Sequence, residues 1–581
     1  MQMFSACVGS LIALALIAGA SPAAAAEKHD VLIEADSFAD YGGWVLDPQY
    51  ITRMGSSFPL AHGLGKPVAN AKTATKFPSA GTYRLWVRTR DWVPSHHPGR
   101  FKVVLDGAEL PETFGAKGEG WLWQDGGRVE IRANTASIEL KDLTGFEGRC
   151  DALLFTSDME AVPPAKADAN MDAWRRRLLG LPADPPSAGT FGCVVVGGGV
   201  AGCAAALTAA RLGLDVALIQ NRPVLGGNAS TELGIPPRGE KRSVVEEVAG
   251  RNRSAAIEAE KRIKLFLGWH AYGVRKGANR ITRVGARHTS EGRELHFAAP
   301  VFIDCTGDGW IGYWAGADYR IGRESSEEFK ESLAPKEADK VIHGITVEFG
   351  TRRAEGPVEF PDVPWAMEVA KANTDLNGHY GWECGQRRDV LGEAEEIRDY
   401  AFRAIYGSFR NVKRADPEKN ANLELWVRHI VAGNESRRLM GDHILTQGDI
   451  QSQGPFDDAV ATGGCFFCRH TPDDRRGFGM RFRLTGVKPC PIPFRSLYSR
   501  NVENLMPAGR CISATHIGFC SIKPMKTGGH MGVATGAAAY LCVERGATPR
   551  QVGKQYIREL QDIVNERGDY AARLRPKAAA R

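Results

Sequence analysis

The feature that most constrains the fold is a short apolar strand that runs through a glycine loop into a helix. The strand Cys193–Val196 leads into Gly197-x-Gly199-x-x-Gly202, and an alanine-rich helix and a second strand, Asp215–Ile219, follow. In such a loop the first glycine permits a tight turn, the second lets the backbone approach a pyrophosphate, and the third lets the helix pack closely on the strand. The free N–H groups at the helix start attract an anion. The segment therefore predicts a βαβ unit that binds a dinucleotide.

The end of the second strand lacks the acid that usually binds the ribose of a dinucleotide. Gln220 and Asn221 stand there, and the amide of either residue could hydrogen-bond a ribose hydroxyl. Neither residue is the arginine that accommodates a 2′-phosphate. The pair therefore predicts a dinucleotide without that phosphate.

Further segments favour FAD over NAD. Residues 222–228 (RPVLGGN) place a Gly-Gly turn directly after the second strand, as in flavoproteins of the glutathione-reductase class. Residues 301–309 (VFIDCTGDG), 504–516 (NLMPAGRCISATH) and 521–542, which include a glycine-rich helix start, resemble other flavin motifs of that class. The cofactor-binding residues predicted from the loop and these segments are Gly197, Gly199, Gly202, Gln220, Asn221, Gly226, Gly227, Asn228, Asp304, Thr306, Gly307, Gly509, Arg510, Thr527, Gly528 and Gly529.

Together these motifs resemble the family of FAD-dependent oxidoreductases of the FAD_oxidored type, within the glutathione-reductase-like flavoproteins. The resemblance extends over about residues 190–545 and includes 435–450 (ESRRLMGDHILTQGDI) and 491–497 (PIPFRSL). It implies FAD as the cofactor and a redox reaction. It implies no particular substrate.

From residue 27 to 158 the sequence has the pattern of strands alone. Segments such as 82–90 (TYRLWVRTR) and 137–143 (SIELKDL) alternate or run apolar between turn residues, which predicts an all-β sandwich. This region resembles the golvesin/xanthan-lyase-type binding domain that some bacterial members of the family carry. A carbohydrate-binding module is therefore one interpretation.

Tryptophans in this region allow two interpretations. Trp92, Trp121 and Trp123 stand in loop-like contexts, which predicts an exposed aromatic platform for sugar rings. In the other interpretation, these residues and Trp44 and Trp86 fill the core of the sandwich, because large aromatic side chains contribute much of the energy of cores.

The first 26 residues contain no charged residue and end in Ala24-x-Ala26. This pattern predicts a secretory signal peptide, and hence a periplasmic or secreted protein. The alternative, a membrane anchor, is disfavoured because the apolar run is short for a span. No other stretch reaches about 20 apolar residues, so no stable membrane span is predicted in the mature chain.

Composition and charge exclude other classes. A hydrophobic fraction of 43% and a charged fraction of 24% are typical of a globular protein and exclude disorder. The formal net charge is only +6 over 581 residues, without a polybasic run. No nucleic-acid partner is therefore predicted.

The predicted fold class is α/β, a Rossmann-like FAD-binding domain with an inserted substrate portion, preceded by an all-β sandwich domain. The predicted parts are a signal peptide (1–26), the sandwich (27–158), a proline-rich linker (159–190), a Rossmann-like FAD-binding part (191–319), a substrate-facing portion (320–500), a C-terminal FAD-binding part (501–545) and a C-terminal helix and tail (546–581).

Four residues are candidates for catalysis. His516 directly follows AGRCISAT, and His530 lies in TGGHMG at the start of the glycine-rich helix. Either is expected to take or give a proton beside the flavin, although a structural role is an equal alternative. Arg437 and Arg438 are expected to orient a polar or anionic substrate, unless they face solvent or form ion pairs.

The motif Cys465-x-x-Cys468 has three interpretations. The pair could be inert or a structural disulfide, a dithiol coupled to the flavin, or part of a metal site with His470 and Cys490. The spacing of these four residues matches no standard zinc signature. No metal site is therefore predicted.

These inferences lead to one expected function. The chain is expected to be an exported FAD-dependent oxidoreductase that transfers a hydride between a CH–OH group of a sugar or glycan-derived substrate and FAD, with an unspecified electron acceptor. The alternatives are a glycan-binding protein with a non-catalytic flavoprotein half, and a flavin/dithiol redox enzyme that uses Cys465 and Cys468.

Overall fold

The structure is a computed structural model that describes residues 28–376, 381–464, 466–474 and 477–575. The predicted signal peptide and Cys465 lie outside the described residues. No helix within these ranges has the length and apolar character needed to cross a membrane.

The N-terminal part consists of two antiparallel sheets. Its strands are β1 (Asp30–Glu34), β2 (Val45–Asp47), β3 (Phe58–Ala61), β4 (Ala71–Lys76), β5 (Gly81–Asp91), β6 (Phe101–Leu105), β7 (Ala108–Glu109), β8 (Gly120–Ile131), β9 (Thr135–Asp142) and β10 (Gly148–Thr156), with a short helix α1 (Ile51–Met54). One sheet has the order β2-β3-β10-β5-β8 with β1 beside β10, and the other has the order β4-β9-β6-β7.

Side chains from both sheets form one core. Leu85 and Leu153 of the first sheet and Phe101 and Ile138 of the second are fully buried in a shared cluster. In β9, buried and more exposed residues alternate, as they do in a strand with one face on a core. The predicted all-β sandwich is therefore confirmed.

The predicted linker, residues 159–190, contains a helix and a strand that dock on both neighbours. Helix α2 (Ala169–Leu178) packs on the sandwich, where the buried guanidinium of Arg175 donates to the carboxylate of Glu34. Strand β11 (Ser187–Thr190) pairs with a strand of the next part. The proline pattern revealed the interruption between domains, but buried ion pairing holds much of the segment in place.

The predicted exposed tryptophan platform is wrong. Trp92 is 7% exposed and packs edge-on against Trp365 of the inserted portion. Trp121 donates its Nε1–H to the carboxylate of Glu395 at 2.8 Å, and Trp123 packs against α2. Trp121 and Trp123 lie on strand β8 and not in a loop. All three side chains contact segments outside the sandwich and therefore join it to the rest of the chain.

A parallel sheet with the order β14-β13-β12-β18-β27 forms the centre of the second part. Its strands and the two longer helices packed on one face are β12 (Cys193–Val196), β13 (Val216–Gln220), β14 (Ile263–Leu267), β18 (Val301–Asp304), β27 (Leu505–Pro507), α3 (Val200–Leu212) and α11 (Met525–Arg545). This is the predicted Rossmann-like architecture, and the fold class is confirmed.

A second sheet covers the other face of the parallel sheet. It has the order β11-β17-β16-β15 and contains β15 (Trp269–Gly277), β16 (Arg280–His288) and β17 (Glu294–Ala298). Val194 and Phe302 of the parallel sheet pack here, whereas their neighbours Val195 and Ile303 pack against the helices. Strands buried on both faces explain why these segments read as continuous apolar runs.

The remaining strands form two-stranded ribbons, mostly in the inserted portion. Four pairs are described, β19 (Tyr319–Arg320) with β22 (Arg438–Leu439), β20 (Ile345–Arg353) with β21 (Leu423–Gly433), β23 (Ala459–Gly463) with β26 (Cys490–Pro493), and β24 (Phe466–Pro472) with β25 (Met480–Gly486). The other helices are α4 (Ser243–Ala249), α5 (Arg253–Glu258), α6 (Trp310–Trp314), α7 (Ser326–Phe329), α8 (Ala394–Ala415), α9 (Gln447–Ser452), α10 (His516–Ile522), α12 (Pro549–Gln555), α13 (Ile557–Val564) and α14 (Tyr570–Leu574).

The predicted single C-terminal helix is divided into α12, α13 and α14. The first of these helices begins with a capping box, in which the side chains of Thr548 and Gln551 are bonded to each other's backbone N–H groups. The helix is interrupted at Tyr556, whose φ of −126° lies outside the helical region. Val552, before the break, and Leu560, after it, are both fully buried in the core.

Buried charges join the sandwich to α8. The guanidinium of Arg149, on β10, is fully buried and donates to the carboxylates of Glu395 and Asp399. Arg398 pairs with Asp47 of the sandwich in the same region. Each charge has an opposite partner, which is the condition for burying it without a large loss of stability.

Replacing Arg149 with alanine should destabilise the protein strongly, because Glu395 and Asp399 would lose a buried partner. Breaking such a pair costs about 3–5 kcal/mol of unfolding free energy. Urea unfolding of the full chain at neutral pH measures the effect. The control Arg84→Ala removes a more exposed pair with Asp125 and should cost no more than about 1 kcal/mol. Equal losses in the two variants would contradict the assigned role of Arg149.

Candidate functional site

One cavity of about 610 Å³ joins the glycine-bearing segments. Its volume lies in the range of small-molecule and cofactor sites, about 300–1,000 Å³. The predicted cofactor-binding residues that line it are Gly197, Gly199, Gln220, Asn221, Gly226, Gly227, Asn228, Thr306, Gly307, Gly509, Arg510, Thr527 and Gly528. Segments more than 300 positions apart in the sequence therefore share one wall.

The glycine loop has the geometry that its sequence predicts. Gly197 has a φ of +103°, and a Cβ there would lie 2.2 Å from the carbonyl oxygen of Cys305. Helix α3 then begins with Gly199 at its N-cap and no side chain bonded to its first-turn N–H groups. These N–H groups are available for an anion. The Gly-Gly turn approaches the loop closely, because Gly226 donates its N–H to the carbonyl oxygen of Gly198 at 2.7 Å.

Helix α11 approaches α3 backbone to backbone. A Cβ at Gly532 would lie 2.1 Å from the carbonyl oxygen of Ala201, and one at Gly536 would lie 2.4 Å from that of Ala205. Only glycine permits this contact. It places the start of α11, with its partial positive charge, in the same cavity as the glycine loop.

Both ends of the side-chain amide of Gln220 are bonded to the backbone. The side chain therefore stabilises the loop and does not face a ligand. Its Oε1 accepts the N–H of Gly198 at 2.8 Å, and its Nε2 donates to the carbonyl oxygen of Val224 at 3.0 Å. The predicted ribose contact through this side chain is therefore revised. Asn221, the second candidate, remains in the cavity wall.

Three other predicted cofactor residues lie behind the wall. Asp304 is fully buried and accepts N–H groups of Thr306 and Gly312, so it shapes the turn after β18. A Cβ at Gly202 would lie 1.8 Å from the loop, and one at Gly529 would meet valine side chains. These residues fix the backbone and do not themselves line the cavity.

The predicted catalytic histidines lie outside the cavity wall. His516 is 3% exposed, and its Nδ1 lies 3.1 Å from the carboxylate of Glu435. Burial lowers the pKa of His516, but the charges of Glu435 and Cys520 and the hydrogen bonds with them together outweigh burial and raise it to about 10. The Nε2 of His530 lies 3.2 Å from the carbonyl oxygen of Glu240, and burial lowers its pKa to about 4. Their predicted proton transfer with a bound substrate is therefore revised.

The predicted substrate-orienting arginines also lie outside the wall. Arg438 is fully buried and bonded to Glu435 and Glu324. The guanidinium of Arg437 stacks on the rings of Trp310 and Tyr313, 4.3 and 4.0 Å from their centroids. Both groups are occupied by neighbouring side chains, so the ion-pair interpretation holds for Arg438 and aromatic packing for Arg437.

A polar cluster stands in the cavity wall, of which the sequence analysis named only Cys468 and His470, as members of a possible disulfide, dithiol or metal site. It consists of Glu383, Cys468, His470 and Lys523. The carboxylate of Glu383 lies 2.7 Å from Nδ1 of His470. On the other side of the ring, Nε2 lies 3.3 Å from the sulfur of Cys468 and 2.7 Å from the ammonium of Lys523.

Strand pleating brings the sulfur and the imidazole to one face. Phe466, Cys468 and His470 alternate along β24, and all three line the cavity, because side chains two positions apart share a face of a strand. The alternation of Cys468 and His470 is the local signal that could have suggested this site. Glu383 and Lys523 come from distant segments, and no local sequence pattern indicates that they belong to this cluster.

The charges of the cluster shift its pKa values in complementary directions. Burial raises the pKa of Cys468, but His470 and Lys523 outweigh burial, and the net pKa is lowered. Burial lowers the pKa of His470, but the charge of Glu383 and the hydrogen bonds with Glu383 and Cys468 together outweigh burial, and the net pKa is raised. Both shifts favour the charged forms, a thiolate beside an imidazolium.

A second group of side chains lies behind this cluster. The potential metal-binding atoms of His343, His516 and Cys520 lie within 4.8 Å of one another. However, both ring nitrogens of His343 already face donors. Lys523 Nζ lies 3.0 Å from Nδ1, and Nε2 accepts the backbone N–H of His470 at 3.3 Å. The pKa of His516 is raised beside Glu435, which favours its protonated form. Because a protonated imidazole offers no lone pair to a metal, we do not assign this group to a metal.

The cysteines of the described residues form no disulfide with one another. Cys490 is buried in the main core and does not line the cavity. The metal set of Cys465, Cys468, His470 and Cys490 is thus not assembled among its described members. Because Cys465 lies outside the described residues, the pairing of Cys468 with Cys465 stays a prediction.

Comparisons with known proteins identify a family. Residues 192–258 and 241–564 match the model of the FAD dependent oxidoreductase family. A search of curated proteins gives no match.

Solved structures give weak likenesses. A family 35 carbohydrate-binding module from Clostridium thermocellum is 16% identical and covers 22% of this chain and 97% of its own, with a TM-score of 0.19. A geranylgeranyl bacteriochlorophyll reductase-like protein from Thermoplasma acidophilum is 12% identical over 66% of this chain and 87% of its own, with a TM-score of 0.29. L-proline dehydrogenase from P. horikoshii is 14% identical over 65% of this chain and 60% of its own, with a TM-score of 0.25. Likenesses of this size carry no functional argument.

FAD is the cofactor of the matching family, and the cavity suits it. The N–H groups at the start of α3 fit the pyrophosphate, and the start of α11 fits the negative charge of a reduced flavin ring. Arg510 lines the cavity, and its Nε is buried without a hydrogen-bond partner among the described residues. Buried donors are rarely left unpaired, so this N–H indicates a bound polar group.

Replacing Gly532 with alanine should reduce the flavin content of the purified protein. The added Cβ would push α11 away from Ala201 and so separate the two cofactor-binding segments, with an overpacking cost of about 1–3 kcal/mol. The ratio of flavin to protein in the visible spectrum measures this. The control Gly448→Ala adds a Cβ in ordinary contact on the exposed helix α9. Full flavin occupancy in Gly532→Ala would contradict the role of the helix contact.

Proposed function

We propose that this chain, which belongs to the family of FAD-dependent oxidoreductases, oxidises a CH–OH group of a sugar or glycan-derived substrate. One cavity extends from the glycine segments to the cluster of Glu383, Cys468, His470 and Lys523. The cofactor and a substrate could therefore share it. This continuity supports the proposal.

The pair of His470 and Glu383 carries the proposal. Oxidation of an alcohol removes a hydride from carbon and a proton from oxygen, and bound FAD supplies the hydride acceptor. Glu383 holds the ring proton on Nδ1, so Nε2 of neutral His470 can take the hydroxyl proton. Lys523 lies 2.7 Å from that nitrogen and can donate to the substrate oxygen. This pair replaces His516 and His530 as the proposed base.

The polar wall supports a polyhydroxylated substrate. Thr346, Glu348 and Asn434 line the cavity beyond the glycine segments. Carboxylates and amides accept and donate the hydrogen bonds that several hydroxyl groups require. The aromatic ring of Phe466 supplies an apolar face beside them.

The sandwich contributes to the same cavity. Gln49, Tyr50 and Thr52 line it, and the Gln49 side chain is bonded to the backbone of His429 and Val431 on β21. We therefore assign the sandwich a part in shaping the site, in place of an external tryptophan platform.

The proposal includes export, which rests on the uncharged, apolar character of residues 1–26. The acceptor that re-oxidises the flavin would then be one found outside the cytoplasm, such as oxygen, a quinone or a redox carrier. No nucleic acid takes part in the proposed reaction.

The test is anaerobic reduction of the flavin, followed as bleaching of its visible band on mixing with sugars, uronates and simple alcohols. We expect bleaching by at least one carbohydrate, and a rate lowered about 10²–10⁴-fold in His470→Ala. The control His443→Ala removes a histidine bonded to Asp449 outside the cavity and should leave the rate unchanged. Bleaching by dithiols alone would favour the dithiol enzyme, and a protein unable to bind FAD would favour the glycan-binding alternative.

The rate of flavin reduction should fall as the pH falls through the pKa of His470, because the protonated ring cannot accept a proton. Glu383 raises this pKa. Removing its charge in Glu383→Gln should therefore move the acid limb of the pH profile to lower pH. The control Glu294→Gln changes a buried carboxylate bonded to Arg176, away from the cavity, and should not move the limb. An unshifted limb in Glu383→Gln would exclude His470 as the base.

A further inference from the structure

The proposed oxidation of an alcohol does not require the thiol of Cys468, yet this thiol lies in the cavity wall. Its sulfur lies 3.3 Å from Nε2 of His470, which is itself oriented by Glu383 at 2.7 Å. A nucleophile, a base and a group that orients the base form the arrangement found at sites of covalent catalysis. Cys468 is only partly buried, so a ligand in the cavity can reach it.

The other described cysteines do not share this setting. Cys384 and Cys490 are buried, and burial raises their pKa values. Cys520 is buried behind the wall, between His343 and His516. Cys305 also lines the cavity, but burial raises its pKa. Cys468 is distinguished by its partial exposure and by its contact with a cavity-lining imidazole.

We propose that Cys468 is a nucleophile that adds to aldehydes, which lets the same site oxidise an aldehyde to a carboxylate. This inference rests on the proposed function, because it uses the same base and hydride acceptor. A free aldehyde carries no hydroxyl proton for His470 to remove. Addition of a thiolate converts it to a hemithioacetal, which carries a C–H and an O–H on one carbon and is therefore a CH–OH group.

The atoms and electrons of the sequence balance. The thiolate sulfur forms a bond to the carbonyl carbon, the C=O π bond breaks, and the oxygen takes a proton from the imidazolium of His470, which leaves that ring neutral. His470 then removes the O–H proton, and FAD, when bound, would supply the acceptor for the hydride, so that a thioester would remain on Cys468. Water attacks the thioester, the C–S bond breaks to regenerate the thiolate, and the carboxylate and two protons depart. The net reaction consumes one aldehyde, one water and one oxidised FAD.

The alternation on β24 suits this chemistry. Cys468 and His470 lie on one face of the strand, opposite Leu484 and Phe482 of β25. Both apolar side chains line the cavity and are about half exposed, so the mouth beside the sulfur is open to an aldehyde and to the water that later attacks the thioester. Lys523 lies across from the strand at the end of α10, where it can stabilise the oxygen that becomes negative.

The first test needs no turnover. The holoprotein is alkylated with iodoacetamide at neutral pH, and the modification of Cys468 is followed by peptide mass spectrometry. We expect alkylation of Cys468 at least tenfold faster than in the urea-unfolded chain, and at least tenfold slower in His470→Ala than in the unchanged protein. Alkylation no faster than in the unfolded chain would overturn the proposal.

The second test uses glyceraldehyde, the smallest sugar aldehyde, under anaerobic conditions. We expect flavin bleaching, formation of glycerate, and an acyl mass on the Cys468 peptide after acid quenching. Cys468→Ser should lose glycerate formation at least 100-fold, whereas the control Cys490→Ser, a core thiol outside the cavity, should retain it. Bleaching without an acyl mass, or equal glycerate formation in Cys468→Ser, would overturn the inference.

The two proposals fail in different ways. Alcohol oxidation with an unreactive Cys468 would overturn the inference and leave the proposed function intact. A rapidly alkylated Cys468 with glycerate formation, but no bleaching by any alcohol, would overturn the proposed alcohol oxidation and support the covalent step.

Discussion

The contact between α3 and α11 is the constraint on which the site depends. Gly532 and Gly536 let the second helix touch the carbonyl oxygens of the first, so the glycine loop and the C-terminal segment reach one cavity. The chain between the two helices must therefore leave the parallel sheet and later return to the edge of the sheet that it left. The inserted portion is therefore held at both ends, and its ribbons are placed over the cavity that the two helices define.

Much of the fold could be predicted from the sequence, because the sequence patterns that indicate it are local. The strand, loop, helix and strand around Gly197 occupy one continuous segment, and each residue type acts through its own backbone. The alternating strands of the sandwich are equally local. The cofactor loops could thus be predicted, although Gln220 and Asp304 turned out to brace those loops, a distinction that depends on side-chain direction.

The polar cluster could be predicted only in part, because it is assembled by folding. The CxxC motif drew attention to Cys468 and His470, whereas Lys523 was given no role within the segment 521–542 and Glu383 stands in no motif. His516 followed a recognisable motif and was favoured for that reason, yet Glu435 and Cys520 enclose it. Proximity to a motif in sequence is a weak guide to which face of a helix or strand meets the ligand.

The tryptophans of the sandwich show the same limitation at the scale of domains. Loop context cannot distinguish a ring that faces solvent from one that faces another part of the chain. Here the buried charges of Arg149, Glu395 and Asp399 stand beside those rings, and residues 49–52 reach the cavity. A protease that cut the exposed peptide between β10 and α2 would leave the two fragments associated. The sandwich is thus a fixed part of the enzyme. Another module could not replace it unless the surface that contacts the sandwich were also changed.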